Sequence, residues 1–288
     1  MTCSTSLRVR RMTEFLYVPV VAVVGFAGIG ILASDHRRWI PLVVVGVVAM
    51  TFAAERLAPH SPRWNLHGPD FGADGLHAVV NESVTALGIL AIPVFVDAVS
   101  LGSWWPTEAP FAVRLAISVI VLDAGVTMTH WLSHRWAMLW RFHAVHHGAR
   151  RLYGLNGLMK HPVHLLIETV AGMAPLIVLG IDAATASALA GFVAVQLVLQ
   201  HANVDYRVGP LGRWMAWNAG HRLHHVADEI EGNVNFGLFT LVWDRLLGTY
   251  RVSDRSNPPP TVGLAGHTPM PSSYRKQFAM PWARVGGA

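Results

Sequence analysis

The chain has 288 residues, 52% hydrophobic and only 14% charged, with 22 Lys+Arg, 17 Asp+Glu and 16 His. Soluble domains carry about a quarter charged residues. The deficit, with a mean hydropathy of +0.39, therefore excludes a free cytosolic protein, a disordered chain and a coiled coil, while a single cysteine, Cys3, excludes a disulfide scaffold.

Six apolar stretches follow one another at about 15–33, 40–54, 77–99, 111–130, 163–181 and 184–201, each near the ~20 residues that cross a bilayer as helix. The first follows Arg8, Arg10 and Arg11 and is longer than the ~7–15 residues of a signal-peptide core, so it reads as an anchor. The second is short at its start. Only Ile181-Asp182-Ala183 separates the last two, which suits an antiparallel hairpin. The expectation is an all-α polytopic membrane bundle with a histidine-rich cap at one end.

Basic residues set the orientation. With the N-terminus inside, Arg8, Arg10, Arg11, Arg56, Arg63, Arg135, Arg141, Arg150, Arg151, Lys160, Arg207, Arg213 and Arg222 fall inside, against Arg37 and Arg38 outside. Both termini and the histidine clusters are then cytoplasmic. The +5 charge is read as arginines meeting anionic headgroups rather than nucleic acid. Three regions follow: spans and a cytoplasmic loop over 1–110, a catalytic domain over 111–250, and a tail over 251–288, partly loose around Pro258-Pro259-Pro260.

Nine histidines fall into a compact pattern. His130-x3-His134 ends the fourth span, His143-x2-His146-His147 follows, His201 ends the sixth span, and His221-x2-His224-His225 comes last. On a helix, residues three and four apart share a face, so each cluster projects together. Neutral imidazole is the commonest metal ligand. Nine are more than one ion can use, so the count points to two. A polar residue in lipid without a use is costly, which weighs against a purely structural cluster.

Between Asp123 and Tyr250 the pattern resembles the fatty acid hydroxylase / sterol desaturase superfamily of membrane non-haem di-iron oxidoreductases. The carriers are His130-x3-His134, Trp140-Arg-Phe-His-Ala-Val-His-His147, Asn156, His161-Pro162, His201-Ala-Asn203, His221-x2-His224-His225 and Asn235-Phe-Gly through Trp243-Asp-Arg-Leu-Leu-Gly-Thr-Tyr250. A weaker echo lies at Tyr274–Trp282. The resemblance implies that the eight clustered histidines, with His201 as a ninth, hold two Fe; zinc is an ion the isolated protein could take up instead. His164 stands where many relatives have Glu, which leaves the role of His161-Pro-Val-His164 open.

Asp123 lies two helical turns before His130 on the same face and is expected to accept an imidazole N–H. Asn156, His161, His164, Asn203 and Asn235 are further candidates for orienting the ligands, as are Asp228 and Asn233. His77, Asn81 and Glu82 form a polar group at the start of the third span, with an interfacial position as the simpler reading.

The resemblance also implies O2 as co-substrate and oxidation of an unactivated C–H bond of a membrane lipid, to an alcohol or an alkene. Hydroxylation is preferred, with C-5 sterol desaturase-type activity as the alternative. A lipid could enter sideways between helices, beneath the cap. No cytochrome b5-like His-Pro-Gly-Gly is fused on, so electrons must come from a ferredoxin or cytochrome b5-type protein with an NAD(P)H reductase. The compact chain points to a bacterial inner membrane. Gly25-x2-Gly28-x-Gly30 lies inside the first span and reads as helix packing rather than a nucleotide fingerprint. A histidine-rich metal transporter is the rival class; it predicts polar groups running through the spans.

Overall fold

The computed structural model describes residues 3–66, 68–102, 104–228, 230–252, 261–267 and 270–283. Among these the structure is helical, with only isolated β-bridges. The Pro258–Pro260 stretch lies outside the described residues.

Helix α1 (Cys3–Val21) continues through a π-helical segment, Ala22–Ala27, into α2 (Gly28–Leu32). It begins earlier than the apolar pattern suggests. Arg8, Arg10 and Arg11 ride on its first turns, where Arg10 pairs with Glu14 at 3.0 Å. The second span is also longer than expected: a 3-10 turn at Arg37–Trp39 leads into α3 (Ile40–Leu57). Its Glu55 is buried but satisfied, accepting from the N–H groups of Gly154 and Asn203 at 2.7 and 2.9 Å.

The remaining spans are α4 (Phe71–Val99), α5 (Phe111–Ser133), α7 (Pro162–Leu179) and α8 (Ala183–His201), with the shorter α6 (Ala137–His147) between α5 and α7. Among the described residues, six helices are long and apolar enough to cross a membrane. Ile31, Leu87, Leu90 and Val94 are two-thirds or more exposed on them. Such faces would be a liability in water, whereas they match hydrocarbon. The protein is an integral multi-pass membrane protein.

Helix α8 is the hub. Of its apolar window 72% is buried, against 11–33% for the other five. Its small residues let neighbours approach closely: a Cβ on Gly191 would meet Ile40 at 2.8 Å and Ile29 at 3.0 Å. Gly25 likewise admits Val195 and Val47, so that first-span glycine is a packing residue. Helices α5 and α7 cross the same way, since a Cβ on Gly125 would stand 2.4 Å from Ala171 O.

The α7–α8 hairpin turns at Gly180-Ile181-Asp182, one residue earlier than the sequence suggests, because Ala183 already belongs to α8. Gly180 takes the left-handed conformation (φ 90°) that ends a helix. Asp182 caps α8 through Thr185 N at 2.9 Å and also accepts from Arg114 and Trp105. The opposite end of the bundle gathers the end of α5, α6, the end of α8 and α9 (Asn218–His224). A short α10 (Val242–Leu247) and α11 (Tyr274–Ala279) complete the cap.

Candidate metal centre

The nine histidines converge at this one end, as two groups. His130, His134, His143, His147 and His224 form one; His146, His201, His221 and His225 form the other. Within each group the candidate ligand atoms lie within 4.8 Å of one another. Each His-x2-His-His motif is split between them. On α6, His143 and His147 are four apart and point into the five-histidine group, while His146, about 100° round the helix from His147, points into the other. In the motif that begins on α9 the roles reverse: His221 and His225 enter the four-histidine group and His224 the five-histidine group.

Backbone carbonyls fix the tautomers. A carbonyl can only accept, so Nδ1 carries the hydrogen in His130 (to Phe236 O, 2.8 Å), His146 (Met159 O, 2.8 Å), His201 (Leu197 O, 2.8 Å) and His224 (Val234 O, 3.0 Å). His134 Nδ1 bonds to Asn233 Oδ1 at 3.1 Å. The Nε2 lone pairs of these five rings therefore face inward. Burial pushes the imidazoles of His143, His146, His147, His221, His224 and His225 well below the ordinary histidine value, and that of His134 to about 3. They are neutral at pH 7, the form that binds metal.

The inward lone pairs fit a cation. His146 and His201 Nε2 lie 3.2 Å apart with no hydrogen available between them. His147 Nε2 lies 3.0–3.2 Å from the Nε2 atoms of His224, His143 and His134, and His130 Nε2 has no protein partner. One shared hydrogen satisfies at most one such pair, whereas a metal ion satisfies them together. An all-imidazole donor set suits iron, zinc, copper or nickel.

Asp123 corrects an expectation: among the described residues it bonds no imidazole. Its carboxylate accepts from Phe239 N (2.7 Å), Thr240 N and Oγ1, and Trp243 Nε1, and so braces the 236–243 loop. Asp244 holds Phe236 N and Gly237 N in the same loop. The same loop supplies the Phe236 carbonyl that holds His130.

The other candidates also stand one step back. Asn156 bonds Tyr153 N and Asp74 in the turn before Met159. Asn203 ties the end of α8 to Ser61 and Asn65. Asn235, with φ 54°, holds Gly220 O and Arg251. Asp228 caps its own loop through Ile230 N and Glu231 N. His161 caps α7 through Val163 N and donates to Phe278 O. His164 joins neither group; its Nε2 meets Ser133 Oγ at 2.9 Å, and its ring lies 4.5 Å from that of His143.

Several further side chains support the surroundings of the site. Gln200 donates to Gly237 O, and Lys160 pairs with Glu168 at 2.5 Å beside His164. His77 is buried, bonding Lys160 O at 3.0 Å and Gln277 at 2.8 Å, while Asn81 also holds Lys160 O. The partners of Gln200, His77 and Asn81 lie 37 to 200 positions away along the chain, so no local spacing marks those contacts.

A cleft of about 260 Å³ reaches the five-histidine group and is lined by His134, His147 and His224 together with Arg135, Trp140 and Asp228.

Residues 115–249, which contain all nine histidines, match the family model described as Fatty acid hydroxylase. The chain is 28% identical to the Ornithine lipid hydroxylase OlsE of Rhizobium tropici, over 99% of this chain and 89% of that protein. It is 28% identical to Sphinganine C4-monooxygenase 1 of Arabidopsis thaliana, over 48% and 54% of the two chains. Cholesterol 25-hydroxylase of Mus musculus is 28% identical over 66% of each. No solved structure matches significantly.

Proposed function

The chain belongs to the fatty acid hydroxylase / sterol desaturase superfamily, and from that premise we propose that it hydroxylates a membrane lipid at a centre of two iron ions. One observation carries the reading: nine imidazoles, five and four, all buried except the half-buried His134, converge at one end of a membrane bundle. His130, His134, His143, His147 and His224 would hold one ion, and His146, His201, His221 and His225 the other. Iron bound there, with O2 and two electrons, supplies the oxidant that turns C–H into C–OH, the second oxygen atom leaving as water with two protons.

The chain's own residues set the geometry. Carbonyls of Phe236, Met159, Leu197 and Val234 hold four rings with their lone pairs inward. A carbonyl on Nδ1 also strengthens the ring as a donor. Burial keeps the rings neutral, so no proton has to leave before metal enters.

Three relatives from different organisms are named as hydroxylases or monooxygenases, which supports hydroxylation over desaturation, sterol C-5 desaturation included. All act on lipids by name, and the one matched over nearly the whole chain acts on an ornithine lipid. The gathering of the histidines at one end, rather than along the spans, speaks against a metal transporter. The electron donor would be a separate ferredoxin or cytochrome b5-type protein with its NAD(P)H reductase. With the N-terminus inside a bacterial inner membrane, the cap faces the cytoplasm.

Comparing lipids of cells with and without the chain, aerobically and anaerobically, tests the reading. A lipid heavier by one oxygen, formed only with both the chain and O2, is expected. Loss of two hydrogens would indicate desaturation, and no O2-dependent change would refute the reading.

A further inference from the structure

Every residue lining the cleft lies outside the six span helices: it is walled by the α5–α6 junction and by residues 224–233 and 263–265. It reaches three of the five histidines in one group and none of the four in the other. At about 260 Å³ it is smaller than the ~300–1,000 Å³ that enclose a whole small ligand. It therefore takes part of a molecule, approaching from the polar side.

Its walls carry both signs of charge. Arg135 is exposed, stacks 4.1 Å over Trp131 and donates to Trp131 O. Asp228 is exposed, its Oδ1 occupied by the loop amides of Ile230 and Glu231. Neither has an ion-pair partner among the described residues. Trp140 forms an aromatic wall, its ring 5.0 Å from His134 and 5.3 Å from His147. A cation and an anion lining one cleft that also reaches His134, His147 and His224 complement a group that itself carries both charges.

We propose that the cleft is a headgroup site for a zwitterionic lipid, with Arg135 binding the acidic group and Asp228 the ammonium. The carbon presented to the five-histidine group then belongs to the polar end of the lipid, not to the depth of its acyl chain. The inference rests on the lipid-oxygenase reading and names its substrate class.

Binding to the iron-loaded full chain in nanodiscs, without O2, tests it. The probes are N-octanoyl-ornithine, its methyl ester, its δ-N-acetyl derivative and short-chain phosphatidylethanolamine. Wild type should prefer the acid to the ester and the amine to the amide by about tenfold each, the scale of one charge-assisted contact. Arg135→Gln should erase the first preference and Asp228→Asn the second, with iron content unchanged. Tighter binding of phosphatidylethanolamine would make the anion a phosphate at the same two-charge site. Equal binding of all probes, or preferences that survive both substitutions, overturns the proposal. Fragmentation of the cellular product separates the two readings: no oxygenated lipid refutes the oxygenase, whereas oxygen confined to the acyl fragment refutes the headgroup site alone.

Discussion

His146 and His201 point their Nε2 atoms at each other across 3.2 Å, while Met159 O and Leu197 O hold their Nδ1 hydrogens. Two lone pairs that close repel unless a cation lies between them. His201→Ala should therefore empty the four-histidine group and leave the other loaded. Iron per purified chain, read by plasma mass spectrometry, should fall from two towards one. An unchanged content would remove His201 from the ligand set.

Gly157 permits the approach of the turn 154–158 to α8. A Cβ there would stand 2.2 Å from Leu197 O and 3.0 Å from His201 Nδ1. Backbone cannot step aside as a flexible side chain can, so Gly157→Ala should cost about 1–3 kcal/mol and lower iron content. Gly30→Ala is the contrast, since its Cβ would meet nothing within 4 Å. Thermal unfolding in detergent, with metal analysis, compares the two.

Gln277 is fully buried and bridges His77 Nε2 to Pro271 O. It pins the tail to α4, and the same tail packs on the end of α6, where a Cβ on Gly148 would meet Met270 at 2.5 Å. Gln277→Ala leaves a buried ring nitrogen without a partner, a loss of about 1–3 kcal/mol. The unfolding midpoint should fall, and chelator should strip iron faster than from wild type.

Asp182 works at the far end of the bundle. Bonds from Thr185 and Trp105, and the Arg114 guanidinium 2.6 Å away, hold its carboxyl below the ordinary aspartate value despite opposing desolvation. A carboxyl with a depressed folded-state pKa binds its proton more readily when unfolded, so stability falls as acid protonates the unfolded chain first. The contribution is intact above the unfolded value of about 3.9 and fades as pH drops through the folded value. Asp182→Ala should cost about 0.5–2 kcal/mol near neutrality, as lost helix caps do, and flatten the acid limb of the unfolding curve.

Much of this architecture was legible in the sequence, because the bilayer demands long apolar runs and α-helices place residues three and four apart together. Six spans and nine converging histidines follow from those two periodicities. The division of the histidines was not. His143 and His146 belong to one motif yet enter different groups, since which way each ring points depends on where α6 and α9 dock. Asp123 was misread for a related reason. Helical phase put it on the side of His130, but only the fold shows the 236–243 loop interposed. His77 and Gln277 are 200 positions apart, and the cleft joins segments more than 120 residues distant, so neither leaves a local pattern.

The central claim, that the histidine-held centre inserts oxygen from O2 into a membrane lipid, is tested most directly with oxygen-18 gas. Iron-loaded wild type, reductant system and membrane lipid extract should yield a lipid carrying one oxygen-18 atom, and His143→Ala should yield none. Product labelled only from water, or formed equally by the variant, would contradict the account.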